Sequence, residues 1–390
     1  MTTENRWLLP EGIEELLPER ASQLEALRRR LLDQCGTWGY RYVIPPLVEF
    51  TDSLLIGLGA DLDVVTCKFT DQMSGRMLGV RADITPQAAR MDAHSLAENG
   101  VTRLCYAGST LQSTPQSVIG GRAPIQLGAE LFGCDAIEAD SEIISLMLST
   151  FACAGVSRAL TLDIGHIGIS DALFSNANLD PEIESQMFDA LQRKSTPDIE
   201  RLSSSLPDDV SQRLRQLASL HGSPEVLLEA RTLFSNEPVV LAALDDLDTV
   251  LAQAQQAFPD VGVYVDLTEL RGFRYHTGLV FAVYLEGRGS AVAKGGRYDN
   301  IGAVFGRDRP ATGFAIDLKA LVDDMTPVES SRPPIIAPPS DAPDLRVAIA
   351  GLRAKGRTVV VDLAPGLTLP GAERLVLNNG EWIIETEATS

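Results

Sequence analysis

Strand-like patterns occupy two stretches of this chain, and a long stretch without them lies in between. Residues 102–108 and 126–132 predict two antiparallel strands, and residues 160–164 alternate as a half-buried strand does. From 170 to 258, helical patterns of leucine, alanine, glutamine and glutamate replace the strand patterns, which return afterwards. We therefore expect an α+β fold in which helices flank an antiparallel sheet and a helical insertion interrupts it.

The N-terminal part predicts a helix, a strand and a hairpin in that order. Four apolar residues recur at helical spacing, and Gly36 follows as a helix stop: Leu24, Leu27, Leu31 and Cys35. Residues 39–44 then predict a strand that ends at Pro45-Pro46. Residues 66–80 predict a hairpin, and residues 83–97 a helix with Thr85-Pro86 at its start.

Proline content divides the rest of the chain. Residues 1–325 predict one core that contains the insertion 170–258, and residues 326–343 form a proline-rich stretch that predicts a linker. Residues 344–390 predict a short C-terminal α/β domain. A piece so small lies near the lower limit for independent folding.

The charge balance argues against one broad class of function. The formal net charge is -20, from 33 basic and 53 acidic residues. Because nucleic-acid binding depends largely on lysine and arginine contacts to phosphates, we expect no nucleic-acid partner. No run of about 18 apolar residues and no secretory signal is visible, so we expect no membrane association.

The five cysteines, odd in number and far apart, predict buried free thiols in a reducing cytoplasm. Because they show no CxxC or CxxH spacing, we expect no metal site.

Several polar side chains have the chemistry that a free amino acid requires. A charged amino group is matched by carboxylates and a hydroxyl, which Asp83, Glu130 and Thr85 carry. A ligand carboxylate is matched by the forked guanidinium of Arg271. An imidazole has two polar nitrogens, for which Glu130 and the Tyr298 hydroxyl are candidate partners.

Each of these residues also has a structural interpretation, which the sequence leaves open. Asp83 suits a helix cap, Arg271 an ion pair, and Tyr275 and Tyr298 suit the core. Gln126 and Glu130 lie four apart on a predicted strand, which places them on one face, either of a pocket or of a solvated surface.

The order of these segments resembles that of histidyl-tRNA synthetase, a class II aminoacyl-tRNA synthetase, over about residues 8–325. Matching segments are Arg81–Thr85, Gln126–Glu130, Arg271–Gly278 and Gly295–Asp299. The resemblance implies a histidine site formed by Asp83, Thr85, Gln126, Glu130, Arg271, Tyr275, His276 and Tyr298. His276 stands where that family has tyrosine, so whether it contacts the ligand or fills space stays open.

The helix and strand that end at Pro45-Pro46 resemble the first class II motif, which implies a homodimer through residues 19–50.

Two positions depart from the synthetase pattern. Gln112 and Ala320 stand where the family carries the arginines that grip ATP. Losing one such donor costs about 10²–10³ in rate, so losing both costs roughly 10⁴–10⁶ if the effects are independent. Glutamine cannot restore a charged, two-pronged phosphate contact. We therefore expect no catalytic residues and no adenylation activity.

A retained amino-acid pocket, lost ATP arginines and a short tail resemble the regulatory subunits of ATP phosphoribosyltransferase, the HisZ family. The resemblance implies a non-catalytic chain without a cofactor, in a hetero-octamer with the short-form catalytic subunit (HisG). It further implies L-histidine as feedback effector in the first step of histidine biosynthesis. An active histidyl-tRNA synthetase and a tRNA-sensing synthetase paralogue are the alternatives.

Overall fold

The computed structural model describes residues 7–55, 59–115, 121–177, 179–204, 206–268, 276–326, 332–364 and 366–386. The chain forms two compact units, Met1–Thr326 and Pro327–Ser390. Within the described ranges, no helix has the length and apolar character needed to cross a membrane.

Strands are numbered in chain order. They are β1 (Arg41–Tyr42), β2 (Val48–Phe50), β3 (Cys67–Thr70), β4 (Met77–Val80), β5 (Thr102–Ser109), β6 (Ile125–Phe132), β7 (Leu160–His166), β8 (His221–Gly222), β9 (Gly262–Asp266), β10 (Leu279–Leu285), β11 (Ala293–Arg297), β12 (Ala311–Asp317), β13 (Ile335–Ala337), β14 (Val359–Val361), β15 (Glu373–Asn378) and β16 (Glu381–Thr386).

The α-helices are α1 (Pro18–Thr37), α2 (Thr51–Leu54), α3 (Gly59–Val65), α4 (Thr85–Arg90), α5 (Ile137–Ala154), α6 (Ile167–Ala177), α7 (Pro181–Gln192), α8 (Thr196–Ser203), α9 (Asp208–Leu217), α10 (Val226–Leu233), α11 (Pro238–Ala257), α12 (Leu318–Leu321) and α13 (Pro343–Ala354). A π-helix spans Met91–Leu96, and 3₁₀ helices span Asp299–Phe305 and Val322–Asp324.

The large unit is built on a nine-stranded sheet with the order β1-β5-β6-β12-β11-β10-β7-β9-β8. Most neighbours are antiparallel, but β1 runs parallel to β5, and β7 parallel to β9. The predicted α+β architecture is confirmed. The predicted strand at 39–44 is shorter than expected because Pro45 and Pro46 follow, and only Arg41–Tyr42 forms the ladder.

One face of this sheet is covered by helices that bury the main core. α1 packs on α5 and buries the four apolar residues that the helical spacing identified. α5 is apolar on most sides because it lies between α1, α11 and the sheet. Between Ile167 and Ala257 the described residues form the six helices α6 to α11 and the two-residue strand β8. This stretch supplies the long crossover that the parallel pairing of β7 and β9 requires.

The opposite face carries α4 and a small sheet of order β2-β4-β3, which includes the predicted hairpin. The helix predicted at 83–97 is interrupted, because α4 continues into the π-helix. There the buried Asp92 accepts from Arg309 Nη1 at 2.8 and 2.9 Å. This buried pair ties the end of the helix to the segment that enters β12.

The small unit has a four-stranded sheet of order β14-β13-β15-β16. α13 packs on it through Leu345 and Ile349. β13 lies inside the sheet, although it falls within the stretch 326–343 that the proline content predicted as linker. The prolines flank this three-residue strand, where they remove no donor from its ladder, so a proline-rich composition is compatible with it.

Candidate functional site

A buried carboxylate lies at the centre of the sheet face opposite α1 and α5. Glu130, on β6, is fully buried. Its Oε1 accepts from the Thr85 hydroxyl at 2.8 Å and from the Tyr106 hydroxyl at 2.9 Å. Its Oε2 accepts from the Tyr298 hydroxyl. Three neutral donors from three separate segments therefore surround this one carboxylate.

A second carboxylate and an amide lie beside this group. Asp83 is almost fully buried, and its Oδ1 accepts from the Thr85 backbone N–H at 3.2 Å. Gln126 Oε1 accepts from the Ile84 backbone N–H at 3.0 Å. The predicted placement of Gln126 and Glu130 on one face of a strand is confirmed, because the intervening Leu127 and Ala129 point into the helix-covered core.

Glycines form the floor on which these side chains lie. A Cβ placed on Gly313 would lie 1.6 Å from Glu130 Oε2, and one on Gly128 would lie 2.4 Å from the Tyr106 hydroxyl. Neither distance is compatible with a side chain. Gly313 and Gly128 are therefore required because the carboxylate and the phenol lie directly over the backbone.

Tyr298 is held in place by a buried ion pair next to it. Arg297 Nε and Nη2 donate to Asp140 Oδ2 at 2.9 and 2.6 Å. Arg297 Nη1 donates to Asp299 Oδ1 at 3.2 Å, and Thr277 Oγ1 donates to Asp299 Oδ2 at 3.2 Å. These bonds fix both neighbours of Tyr298, so its hydroxyl is directed at Glu130.

His276 lies against the same floor. A Cβ on Gly296 would lie 2.6 Å from the His276 Cδ2 atom, so the ring rests on the Gly296 backbone. Gly296 pairs with Gly313, over which the Glu130 carboxylate lies. Arg271 and Tyr275 lie outside the described residues.

The two positions that lack the ATP arginines have other roles. Gln112 is buried, and its Nε2 donates to the Ala82 carbonyl at 3.5 Å. Arg122 closes over it, donating from Nε to the Gln112 carbonyl at 3.0 Å and from Nη1 to the Glu11 carbonyl at 3.3 Å. Ala320 packs against the main core. Neither position offers a charged donor for a phosphate group.

Sequence reasoning missed Tyr106, which is a direct partner of Glu130. Tyr106 pairs with Gly128 across β5 and β6, two residues from the pair Leu104 and Glu130. A tyrosine on a strand opposite a glycine was the available signal, because the missing Cβ leaves room for the phenol. Among the described residues, no cluster of three or more histidine, cysteine, aspartate or glutamate side chains suits a metal ion.

Burial dominates the electrostatics of the site. It raises the pKa of the Glu130 carboxyl to about 8, although the hydroxyls of Tyr298, Thr85 and Tyr106 oppose the shift. Burial also raises the pKa of Asp83, against the hydrogen bonds from Thr85 and Gln126. Two carboxyls whose pKa values are raised by burial therefore lie side by side, as is common at ligand sites.

Comparison with known proteins agrees with this geometry. The family model for histidyl-tRNA synthetase matches residues 12–321, and the model for the ATP phosphoribosyltransferase subunit HisZ C-terminal domain matches residues 332–385. An ATP phosphoribosyltransferase regulatory subunit of Marinobacter nauticus is 48% identical over 395 residues, which covers 100% of both chains. The chain belongs to the family of ATP phosphoribosyltransferase regulatory subunits.

Solved structures support the same placement. An ATP phosphoribosyltransferase regulatory subunit/histidyl-tRNA synthetase from Bacillus halodurans C superposes with a TM-score of 0.82 at 27% identity, covering 95% of this chain and 96% of that one. Histidyl-tRNA synthetase from Nostoc sp. PCC 7120 shares the fold, with a TM-score of 0.76 at 15% identity over 97% of each chain. The predicted class II synthetase-like fold is confirmed, and the family is the regulatory, non-catalytic one that the sequence indicated.

The raised pKa of Glu130 predicts how stability depends on pH. Because folding raises this pKa from 4.5 to about 8, the folded state holds the proton more tightly than the unfolded state. The stability that protonated Glu130 provides is complete below pH 4.5 and is lost as the pH rises to 8, at up to about 1.4 kcal/mol per pH unit. The free energy of unfolding of Glu130→Gln, measured in urea, should therefore rise relative to that of the wild type as the pH increases across this range. Above pH 8 the difference between the two proteins should stay constant.

The exposed variant Glu286→Gln serves as the control, and its unfolding free energy should follow the wild type at each pH. Parallel pH profiles for Glu130→Gln and the wild type would contradict the raised pKa.

Proposed function

We propose that this chain is a histidine-responsive regulatory subunit that assembles with the short-form catalytic subunit of ATP phosphoribosyltransferase. In this proposal the catalytic subunit requires the chain for activity, and L-histidine binds the pocket around Glu130 as feedback inhibitor. The observation that carries the proposal is the buried Glu130 carboxylate with its hydroxyl donors beside Asp83, an arrangement suited to an amino acid.

The chemistry of histidine fits the pocket group by group. Its imidazole has two polar nitrogens, and the Glu130 carboxylate and Tyr298 hydroxyl offer an acceptor and an exchangeable donor. Its amino group is cationic and is matched by Asp83 and the Thr85 hydroxyl, with Gln126 alongside. Arg271 is the proposed partner of the carboxylate, while Tyr275 and His276 are proposed to wall the pocket.

Positions 112 and 320 lack the arginines that contact ATP in the synthetase family, and this supports an effector role for the ligand. Gln112 is turned into the protein and Ala320 is packed against the core, so neither site neutralises a phosphate. An amino acid bound here would remain unreacted, because activation with ATP requires stabilisation of charge at the phosphate. Because a ligand that does not react is not consumed, the occupancy of the site depends on the concentration of that ligand.

Feedback requires that histidine distinguish two states of the assembly. A ligand shifts an equilibrium only by the difference between its affinities for the two states. The pocket draws on α4, β5, β6 and the segment after β11, so a change in how these pack would alter the affinity. Histidine would therefore stabilise the assembly in which the pocket is most closed.

A homodimer through residues 19–50 is proposed on the exposed edge of the large sheet. β1 is the edge strand, and Tyr42, Ile44 and Leu47 beside it are 45%, 74% and 49% exposed. Apolar side chains clustered at an open sheet edge favour pairing with a second copy.

Reconstitution tests the regulatory role directly. The short-form catalytic subunit alone should show little ATP phosphoribosyltransferase activity, and adding this chain should raise it. L-histidine should then inhibit the mixture. The rate of product formation in a continuous assay measures both effects. Full activity of the catalytic subunit alone, or of the mixture at saturating histidine, would refute the corresponding part of the proposal.

Calorimetric titration tests the site. Glu130→Ala should weaken L-histidine binding about tenfold or more, because it leaves a polar group of the ligand without its buried hydrogen-bond partner, at a cost of about 1–3 kcal/mol. Arg271→Ala should act likewise at the other end of the ligand. Glu286→Ala, at an exposed position, should bind as the wild type does. Wild-type affinity in both site variants would place the effector elsewhere.

Sedimentation of the isolated chain tests the dimer. Ile44→Asp should shift the chain toward monomer, because a carboxylate in an apolar interface lacks a compensating partner. Val239→Asp changes a valine that is 62% exposed on α11 and should leave the dimer intact. Equal sedimentation of the two variants would move the interface away from β1.

A further inference from the structure

A lysine stands on the same face of the large sheet as Glu130. Lys294 is exposed although it lies on β11, near the middle of the nine-stranded sheet. A charged, exposed residue on a central strand requires that the sheet be open to solvent above it. Ala315, its direct neighbour on β12, is also only half-buried, so the opening includes that residue.

Strand register fixes the direction of the Lys294 side chain. Residues two apart on a strand share a face, so Lys294 shares one with Gly296 and with Tyr298 just beyond the strand. Tyr298 donates to Glu130, which identifies this as the site face. In contrast, a Cβ on the intervening Gly295 would lie 2.4 Å from the core ring of Phe281.

Strand register sets the distance from Lys294 to the backbone beneath Glu130. Lys294 lies one strand away from Gly313 and two residues along, so their α-carbons are about 8 Å apart. The Glu130 carboxylate lies directly over Gly313. Between them lie Gly296, which the His276 ring covers, and Ala315, which is half-buried and the more open of the two.

Charge assigns the end of the ligand that faces Lys294. At the site-facing positions of β5, β6, β10, β11 and β12, strands that the structure describes in full, Lys294 is the one cationic side chain. Glu130 is a buried acid at the opposite, imidazole end of the ligand, and when ionised it would repel the carboxylate of a bound amino acid. Arg81, which lies over Gly108, donates to the Pro45 and Ser109 carbonyls instead.

We propose that Lys294 contacts the carboxylate of the amino-acid effector and so selects ligands that retain that group. The inference rests on the proposed function, since it assigns one further contact to the same histidine site. Asp163 also faces this side of the sheet, two strands from Lys294. A purely structural role for Lys294 as a partner of that region is the alternative that the experiment must separate.

A comparison of two ligands distinguishes a contact between Lys294 and the ligand carboxylate from a purely structural role of Lys294. L-histidinol carries a hydroxymethyl group in place of the carboxylate and is otherwise the same as L-histidine. The full chain is titrated calorimetrically with both ligands. Lys294→Ala should weaken histidine binding about tenfold. This loss of binding free energy is small for a charged hydrogen bond because the site is open to solvent. Histidinol affinity should be unchanged, and Lys294→Arg should retain most of the histidine affinity.

The outcomes are distinct. Unchanged histidine affinity in Lys294→Ala, or an equal loss for histidine and histidinol, would overturn the assignment while leaving the site in place. Absence of histidine binding to the wild type would overturn the proposed function itself, and this contact with it. Lys355→Ala, an exposed lysine of the small unit, is the matched control and should bind both ligands normally.

Discussion

The burial of the Glu130 carboxylate is the constraint on which the rest of the site depends. An ion removed from water loses its hydration, and three neutral hydroxyls replace only part of it. The pKa of about 8 records the remaining cost. Fully compensated, such a group would titrate near its ordinary value. In the proposed function, the N–H of a bound imidazole would supply part of the hydration that the hydroxyls do not replace.

Much of the surrounding structure follows from holding that carboxylate. It needs Gly313 beneath it, Tyr106 and Thr85 on one oxygen and Tyr298 on the other. Tyr298 in turn depends on the Arg297–Asp140 pair, whose members are buried and would be costly to separate. The Gly-Gly-Arg-Tyr-Asp sequence therefore serves as floor, anchor and donor within five consecutive residues.

Local periodicity predicted the elements that depend on one segment at a time. The spacing of Leu24, Leu27 and Leu31 identified the buried face of α1, and alternation placed Gln126 and Glu130 together. Contacts between distant segments could not be predicted from local patterns in the sequence. Tyr106 has no local signal of a site residue, because its role depends on which strand lies opposite, and β13 was concealed by the prolines around it.

Conversion of a catalytic face into a binding face needs little change in the fold. The backbone around Gln112 is held by its own N–H to the Arg122 carbonyl at 2.8 Å, and that of Thr110 by a bond to the Pro124 carbonyl at 3.0 Å. These bonds do not involve side chains, so losing an arginine leaves the sheet intact. Function is thus separable from fold at this site.

The arrangement of the Glu130 site suits the sensor role proposed for it. Its donors come from α4, β5 and the segment after β11, which meet through their hydrogen bonds to Glu130. A ligand that bonds to all of them stabilises one relative placement of these segments over others. In the proposed function, the fold therefore supplies what an effector needs, a geometry whose stability depends on occupancy.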